Sequence, residues 1–200
     1  MQALLPRFRA AHTQVLGVSV DSVYCHANWA KDLGGVSFPL LADFHPKGEV
    51  ARSYGLYLDA AGITDRATVL IDAAGVVRHA SSVGPGGQRD IGELATECER
   101  LDESYTGPVE DWSEPLGLPE GGLLYVKSSC GFSRAALLAC DNLHLSKRIA
   151  VKNVSEEAAS REALVKASGS EQAPCLVIGG ETIQESADIV TRLLEATAPV

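Results

Sequence analysis

Short apolar runs alternate with amphipathic segments along most of this chain. In the first half, apolar runs occupy residues 14–20, 38–43, 67–72 and 76–80, and the last two flank the turn sequence Ala73-Ala74-Gly75. Short apolar runs bounded by turn residues predict strands, and Gly between two such runs predicts a hairpin. Helical spacing follows at residues 26–33, 48–54 and 90–101. Strands that alternate with helices predict an α/β layered domain.

The second half shows a similar alternation in a more compact form. The predicted order is strand 123–126, helix 133–142, strand 149–154, helix 156–167, strands 176–178 and 182–184, and helix 186–195. This β-α-β-α-β-β-α order predicts a thioredoxin-like unit. Prolines, glycines and acidic residues are mixed between the halves, as is typical of a linker. We therefore predict a first domain at 1–105, a linker at 106–121 and a second domain at 122–200.

Composition narrows the choice of partners and compartment. The 200 residues carry a net charge of −9, which argues against nucleic acid or an anionic membrane as partner. No apolar run approaches the length of a membrane span, and the N-terminus does not resemble a signal peptide. The five cysteines are scattered and odd in number, which favours free thiols in a reducing compartment. We expect a cytoplasmic protein. The histidines show no ligand spacing, so no metal site is predicted.

Cys130 is the strongest candidate for chemistry. It lies in Cys130-Gly131-Phe132-Ser133, between an apolar strand and a helix rich in Ala and Leu. The unpaired N–H groups and the dipole of a helix N-terminus favour a thiolate there, and Lys127 can add a positive charge. Downstream, Pro174 is expected to mark the start of a strand, where it can also form a cis turn that faces the cysteine.

The segment from Gly121 to Ala196 resembles a glutaredoxin or the thioredoxin-like N-terminal domain of glutathione transferases. Cys-Gly-Phe-Ser is the signature of monothiol glutaredoxins, whereas Pro174 followed by Glu185-Ser186 is closer to the transferases. The resemblance implies a glutathione site in which Ser186 takes the γ-glutamyl carboxylate at a helix end. The full implied set is Lys127, Cys130, Pro174, Glu185 and Ser186. The tryptophan-containing loop of the monothiol family is missing, which disfavours an iron–sulfur cluster as cofactor.

The first half resembles the later two-thirds of a peroxiredoxin. The matching stretches are Leu16-Gly17-Val18-Ser19-Val20-Asp21-Ser22, Cys25-His26-x-x-Trp29, Pro39-Leu40-Leu41-Ala42-Asp43, Gly48-Glu49-Val50-Ala51-Arg52-x-Tyr54-Gly55, Arg66-Ala67-Thr68-Val69-Leu70-Ile71-Asp72 and Gly75-Val76-Val77-Arg78. The resemblance implies that Arg66 polarises a peroxide and supports a thiolate, because a fixed guanidinium stabilises developing negative charge. It also implies two thioredoxin-like units, of which the first lacks its N-terminal strands.

The attacking cysteine of the peroxiredoxin family has no counterpart in this chain. Cys25 occupies a later helix position, so we expect either a sequence that starts late or a degenerate peroxiredoxin that depends on its second domain. Cys25 can be a core or interface residue or a redox partner. Cys98 and Cys140 are expected in helices, with Cys98 in a core. Cys175 is favoured as a buried strand residue over a resolving thiol.

The resemblances together imply a thiol-dependent antioxidant or redox protein of peroxiredoxin–glutaredoxin hybrid type. Glutathione, or another small thiol, would be the co-substrate at Cys130, and the other substrates would be peroxides or mixed disulfides. We expect an oxidoreductase whose peroxidase activity requires the N-terminal part of the family, and a homo-oligomer is compatible with this picture. Two alternatives stay open, namely glutathione-dependent iron–sulfur cluster binding and a non-catalytic interaction protein.

Overall fold

A computed structural model of the protein describes residues 1–109, 115 and 117–197. The chain forms two compact units. The first contains Met1–His26 and the chain from Phe38 to the Pro/Gly-rich segment, and the second contains Ala27–Ser37 and the chain after that segment. Both units contain helices and strands, so the α/β prediction is confirmed. The domain bounds 1–105, 106–121 and 122–200 stay a prediction, and residues 110–114 and 116 of the linker lie outside the described residues.

The first unit contains short helices and small two-stranded sheets. Its elements, after a 3₁₀ turn at Gln2–Leu4, are α1 (Leu5–Ala10), β1 (Gly17–Ser19), α2 (Val23–Asp32, which continues into the second unit), β2 (Leu40–Ala42), α3 (Glu49–Ser53), β3 (Tyr57–Leu58), β4 (Ile63–Thr64), β5 (Ala67–Ile71), β6 (Val77–Ser82) and α4 (Ile91–Ser104). Strands β1 and β2 are parallel, while β3–β4 and β5–β6 are antiparallel pairs. The predicted hairpin at residues 67–80 is thereby confirmed.

Helices α1 and α4 enclose the core of the first unit. Phe8 of α1 and Ala95 and Cys98 of α4 are buried together, and Leu70 of β5 packs against them. Asp90 caps α4 by accepting the N–H of Glu93 at 2.9 Å, as expected for an N-cap carboxylate. The burial of Cys98 agrees with its predicted core position.

The second unit is built on one four-stranded sheet. Its elements are β7 (Gly122–Val126), α5 (Gly131–Asn142), β8 (Ile149–Asn153), α6 (Ala158–Ser168), β9 (Cys175–Ile178), β10 (Glu181–Ile183) and α7 (Ser186–Thr197). The strand order is β10-β9-β7-β8, with β7 and β8 parallel and the other neighbouring pairs antiparallel. This is the predicted thioredoxin-like order, and each element agrees with its predicted position to within about two residues.

Alternation along the central strands divides the core of the second unit into two layers. Leu124 and Leu176 face α5 and α7, where they pack with Ala136, Ile189 and Leu193. The intervening residues Tyr125 and Cys175 face the other side, where they pack with Leu164 of α6 and with Val154. Successive side chains of a strand point to opposite faces, so a helix layer on each face requires nearly continuous apolar strands.

The segment Ala27–Ser37 is part of this second unit. The Asn142 side chain donates to the Ala27 carbonyl at 3.1 Å and accepts the Val36 N–H at 3.4 Å. Lys31 forms an ion pair with Asp141 at 2.7 Å. No local sequence pattern indicates these long-range hydrogen bonds.

Within the described ranges, we find no helix with the length and apolarity needed to cross a membrane.

Candidate functional site

All three segments of the predicted glutathione site lie at the same end of the strands in the second unit's sheet. Strand β7 ends at Val126, immediately before the loop that carries Lys127 and Cys130. Tyr125 is the register partner of Cys175, so Pro174 precedes β9 at the same edge. Strand β10 runs antiparallel to β9 and ends there too, just before Glu185 and Ser186. The topology alone therefore gathers the thiol, the proline and the start of α7.

Cys130 is the N-cap residue of α5 and is partly exposed. The N–H and the hydroxyl of Ser133 are the main groups that lower the pKa of the Cys130 thiol, and the N–H of Phe132 and the charge of Lys127 add to the effect. Helix N-terminal N–H groups favour a thiolate because they have no partner within the helix. Among these groups, the charge of Lys127 lowers the pKa of Cys130 least, although the sequence analysis named it together with the helix N-terminus.

The loop between Lys127 and Cys130 is held from both sides. On one side, the Lys127 N–H donates to the buried hydroxyl of Ser133 at 3.0 Å. On the other, Ser128 donates its N–H to the Ser155 hydroxyl at 3.1 Å and its own hydroxyl to Glu156 at 2.9 Å. These contacts fix the loop in which Ser129 adopts a φ of +54°. A fixed loop keeps the thiol in position without help from a ligand.

Pro174 is buried, and the Ala173–Pro174 peptide bond is cis. Strand β9 begins one residue later, so Pro174 combines the predicted strand start with the predicted cis turn. Cys175 is fully buried against Tyr125, Val154 and Leu164. Burial raises the pKa of the Cys175 thiol, which makes it a poor nucleophile.

Glu185 and Ser186 form the beginning of α7. The Ile189 N–H bonds to the Glu185 carbonyl at 2.9 Å, so the N–H groups of Ser186, Ala187 and Asp188 precede the first helical hydrogen bond. Such groups favour an anion, although the carboxylate of Asp188 in the same turn opposes one. The Glu185 carboxylate accepts Gln172 Nε2 at 2.8 Å, which joins α7 to the loop before Pro174.

Arg66 belongs to the first unit, where it is exposed just before β5. Its Nε donates to the Pro85 carbonyl at 3.1 Å. Arg89, which sequence analysis missed, donates to the Ala67 carbonyl at 3.2 Å. Desolvation first and the positive charge of Arg66 second lower the pKa of Arg89. Two neighbouring guanidiniums of this kind favour an anion, and no sequence spacing could have indicated them, because the 82–89 loop brings them together.

The other two cysteines occupy contrasting places. Cys25 is exposed on α2, with its sulfur 3.8 Å from Asp21 Oδ1. Cys140 is buried in α5, and burial raises its pKa to about 11. The structure therefore makes Cys140 a core residue and leaves both interpretations of Cys25 open. In the described part of the chain, no group of three or more His, Cys, Asp or Glu side chains is arranged to hold a metal ion.

Two family models match the two halves of the chain. Residues 1–80 match the AhpC/TSA family. Residues 124–199 match the glutathione S-transferase N-terminal domain. The resemblances to a peroxiredoxin and to a thioredoxin-fold domain of the transferase type are therefore confirmed.

Individual relatives match about half of the chain. Alkyl hydroperoxide reductase E of Mycobacterium tuberculosis is 40% identical over 86 residues, which are 43% of this chain and 56% of the relative. Peroxiredoxin 1 of Sulfuracidifex metallicus is 37% identical over an alignment of 113 positions, which covers 52% of this chain and 52% of the relative. The solved structure of M. tuberculosis AhpC is 29% identical and covers 50% of this chain and 59% of its own, with a TM-score of 0.46.

The chain spans about half the length of the curated relatives that it matches. The AhpC/TSA match lies in the first half of the chain, whereas the reactive-thiol loop lies in the second. The chain thus joins a segment similar to the AhpC/TSA peroxiredoxins to a thioredoxin-fold domain similar to the N-terminal domain of glutathione S-transferases.

Proposed function

We propose that this chain is a thiol-dependent redox protein that carries out glutathione-linked thiol–disulfide exchange at Cys130. The observation that carries the proposal is the lowered pKa of the partly exposed Cys130 thiol, which lies at the same end of the strands as Pro174 and the start of α7. A thiolate is the attacking species in such exchange, so this site has the required nucleophile. The similarity of residues 124–199 to the transferase N-terminal domain supports glutathione as the small thiol.

The proposed cycle uses two exchange steps. The Cys130 thiolate attacks the glutathione sulfur of a mixed disulfide, the S–S bond breaks, and the substrate thiolate leaves and takes up a proton. Cys130 then carries glutathione in a disulfide. The thiolate of a second glutathione attacks that glutathione sulfur, releases the Cys130 thiolate and forms oxidised glutathione. Ser133 cannot resolve the disulfide as a second cysteine would, because a hydroxyl does not exchange with a disulfide.

Each neighbouring residue has a proposed role in holding the tripeptide. The backbone beside Pro174 pairs with the extended peptide like an added strand. Ser186 donates to the γ-glutamyl carboxylate at the start of α7, and Glu185 orients that turn through Gln172. Lys127 contributes its charge to the anionic ligand as well as to the thiolate.

The first half is proposed to serve peroxide chemistry of the AhpC/TSA type. Arg66, with Arg89 beside it, would stabilise negative charge on a peroxide or its leaving group. Of the cysteines in the first unit, Cys98 is buried and Cys25 is exposed, and the peroxiredoxin resemblance implies that Cys25 is not the attacking cysteine. We therefore propose that peroxide reduction needs the N-terminal part of a peroxiredoxin, and that the second unit recycles its oxidised thiol. The five free cysteines suit a reducing compartment such as the cytoplasm.

Incubation with oxidised glutathione tests the proposal directly. One glutathione should add to the protein, and peptide mapping should locate it on Cys130. Labelling distributed evenly over the exposed and partly exposed cysteines would contradict the site. A visible absorption band after iron and sulfide reconstitution with glutathione, together with absent disulfide exchange, would instead favour the cluster-binding alternative.

A second comparison separates ligand binding from thiol reactivity. Ser186→Ala should slow glutathione capture about tenfold or less, the effect of one hydrogen bond to a charged group, while alkylation of Cys130 by a small reagent stays unchanged. Ser168→Ala is the matched control, because that hydroxyl bonds only within its own helix turn and the following loop. Equal slowing of both reactions by Ser186→Ala would mean that the serine supports the fold and not the ligand.

A further inference from the structure

A ring of side-chain hydrogen bonds joins the loop before Cys130 to the turn between β8 and α6. The Glu156 carboxylate lies at its centre, where Oε1 accepts the Ser128 hydroxyl at 2.9 Å and Asn153 Nδ2 at 2.7 Å. Asn153 Nδ2 also donates to Ser128 Oγ at 2.9 Å, and Asn153 Oδ1 accepts the Ser155 N–H at 3.0 Å. The Ser155 hydroxyl in turn accepts the Ser128 N–H at 3.1 Å. Ser128 is therefore held through its backbone and its side chain.

The direction of each bond in this ring follows from the chemistry of its members. An ionised carboxylate only accepts, so the Ser128 hydroxyl gives its single hydrogen to Glu156. The hydroxyl oxygen then accepts one hydrogen of the Asn153 amide, and the second amide hydrogen goes to Glu156. Removal of the carboxylate would leave two donors of the ring without their acceptor.

The residue that this ring supports is Ser129, whose φ is +54°. A left-handed backbone is costly for a residue that has a Cβ atom, and it persists where the surrounding structure determines it. Ser129 separates Ser128 from Cys130, the N-cap residue of α5. If Ser128 were released, Ser129 could relax to an ordinary backbone conformation, and the thiol would lose its fixed place at the helix end.

We propose that Glu156 is a positioning residue for Cys130, which holds Ser128 and thereby keeps Ser129 in the left-handed turn that leads to the thiol. This role rests on the proposed function, since it serves the exchange that Cys130 performs. Glu156 acts through the loop, because its hydrogen bonds run to Ser128 and Asn153.

The first test is the rate at which Cys130 exchanges with a small neutral disulfide at neutral pH, without glutathione. Glu156→Ala should slow this reaction about threefold to tenfold, the effect of one lost hydrogen bond. Loss of a negative charge near a thiolate would by itself speed the reaction, because like charges disfavour ionisation. The sign of the change therefore separates positioning from a simple charge effect. Glu156→Gln keeps an oxygen that accepts from both donors, so its rate should stay within about twofold of the parent.

The second test is rescue by a substitution in the loop itself. Glycine adopts a left-handed conformation without the Cβ penalty, so Ser129→Gly should restore much of the rate that Glu156→Ala loses. The Ser128 amide should also exchange its hydrogen about tenfold faster in Glu156→Ala, while the amides of β7 stay protected. Glu157→Ala is the matched control, because the neighbouring carboxylate accepts the Ser160 hydroxyl at 2.6 Å and should leave the rate unchanged.

Three results would overturn the proposal. One is a Glu156→Ala protein that reacts as fast as the parent or faster. Another is equal slowing by Glu157→Ala. The third is a slow Glu156→Ala protein that Ser129→Gly does not restore, although both melt cooperatively. Because the reagent contains no glutathione, a failure to bind the tripeptide leaves these comparisons intact, whereas an unreactive Cys130 in the parent would contradict the proposed function itself.

Discussion

Cys175 offers the clearest separation between a core residue and a second redox thiol. Its side chain is completely buried against Tyr125, Val154 and Leu164. Cys175→Ala removes one sulfur from this layer. The loss corresponds to about one methylene of apolar burial plus a small cavity, so unfolding free energy should fall by about 1–1.5 kcal/mol.

Cys175→Ser should destabilise the second unit more than Cys175→Ala does. The serine hydroxyl would be buried in an apolar layer, and an unpaired buried hydroxyl costs about 1–3 kcal/mol. Urea unfolding followed by circular dichroism measures both changes. Cys25→Ala, at an exposed cysteine, is the matched control and should change stability by no more than about 0.5 kcal/mol.

The chemical half of the same experiment is the release of glutathione from the Cys130 mixed disulfide. A buried Cys175 cannot attack that disulfide, so added glutathione should release it at the same rate in the parent and in Cys175→Ala. A disulfide between Cys130 and Cys175, or release that stops in Cys175→Ala, would refute the burial argument. Equal, near-zero stability changes for the Ala and Ser variants would refute it independently.

Four further outcomes are expected. Lys127→Ala should slow labelling of Cys130 by oxidised glutathione about twofold or less, and added salt should remove the difference, because an exposed charge is well screened. A larger loss that does not depend on salt would contradict the small contribution of Lys127 to the thiolate. Stopped-flow mixing with hydrogen peroxide should give no fast thiol oxidation. A fast phase that disappears in Cys25→Ser would contradict this and identify Cys25 as the thiol that reacts with peroxide. Residues 1–105 expressed alone should self-associate, since β1 and β2 form only a two-stranded sheet, and a cooperatively melting monomer in sedimentation would count against this. The Val76 N–H and the ion pair with Arg78 lower the pKa of Asp72. Its carboxylate therefore stabilises the first unit at pH values above the ordinary aspartate pKa of about 3.9, and this stabilisation is lost as the pH falls through the lowered pKa. Thermal melts of Asp72→Asn should consequently depend less on acid pH than those of the parent.

The sequence predicts the second unit well because its strands and helices are long enough to show their periods. Leu123–Val126 and the helix after Cys130 each have one dominant pattern, and the order of elements then determines the strand neighbours. The two-residue strands at Tyr57–Leu58 and Ile63–Thr64 were missed, since two residues cannot show alternation. The contacts that Ala27–Ser37 makes within the second unit cannot be predicted from the pattern, because hydrogen bonds across more than a hundred residues leave no local trace.

The candidate site also has features that the sequence predicts and features that only the structure shows. The gathering of Cys130, Pro174 and Ser186 follows from strand order, which the sequence indicates. The larger contribution of Ser133 than of Lys127 to the thiolate does not, because it depends on how the loop through Ser129 turns. Lys127 and Ser133 each lie three residues from Cys130 along the chain, so distance in the sequence could not rank their effects on the thiol.

Turnover of a glutathionylated peptide tests the central claim most directly. With glutathione present, the protein should catalyse release of the peptide thiol and formation of oxidised glutathione in equal amounts. Cys130→Ser should abolish the catalysis, while Cys25→Ser and Cys175→Ala should retain it. Catalysis that survives Cys130→Ser, or a fully folded parent protein that shows none, would contradict the account.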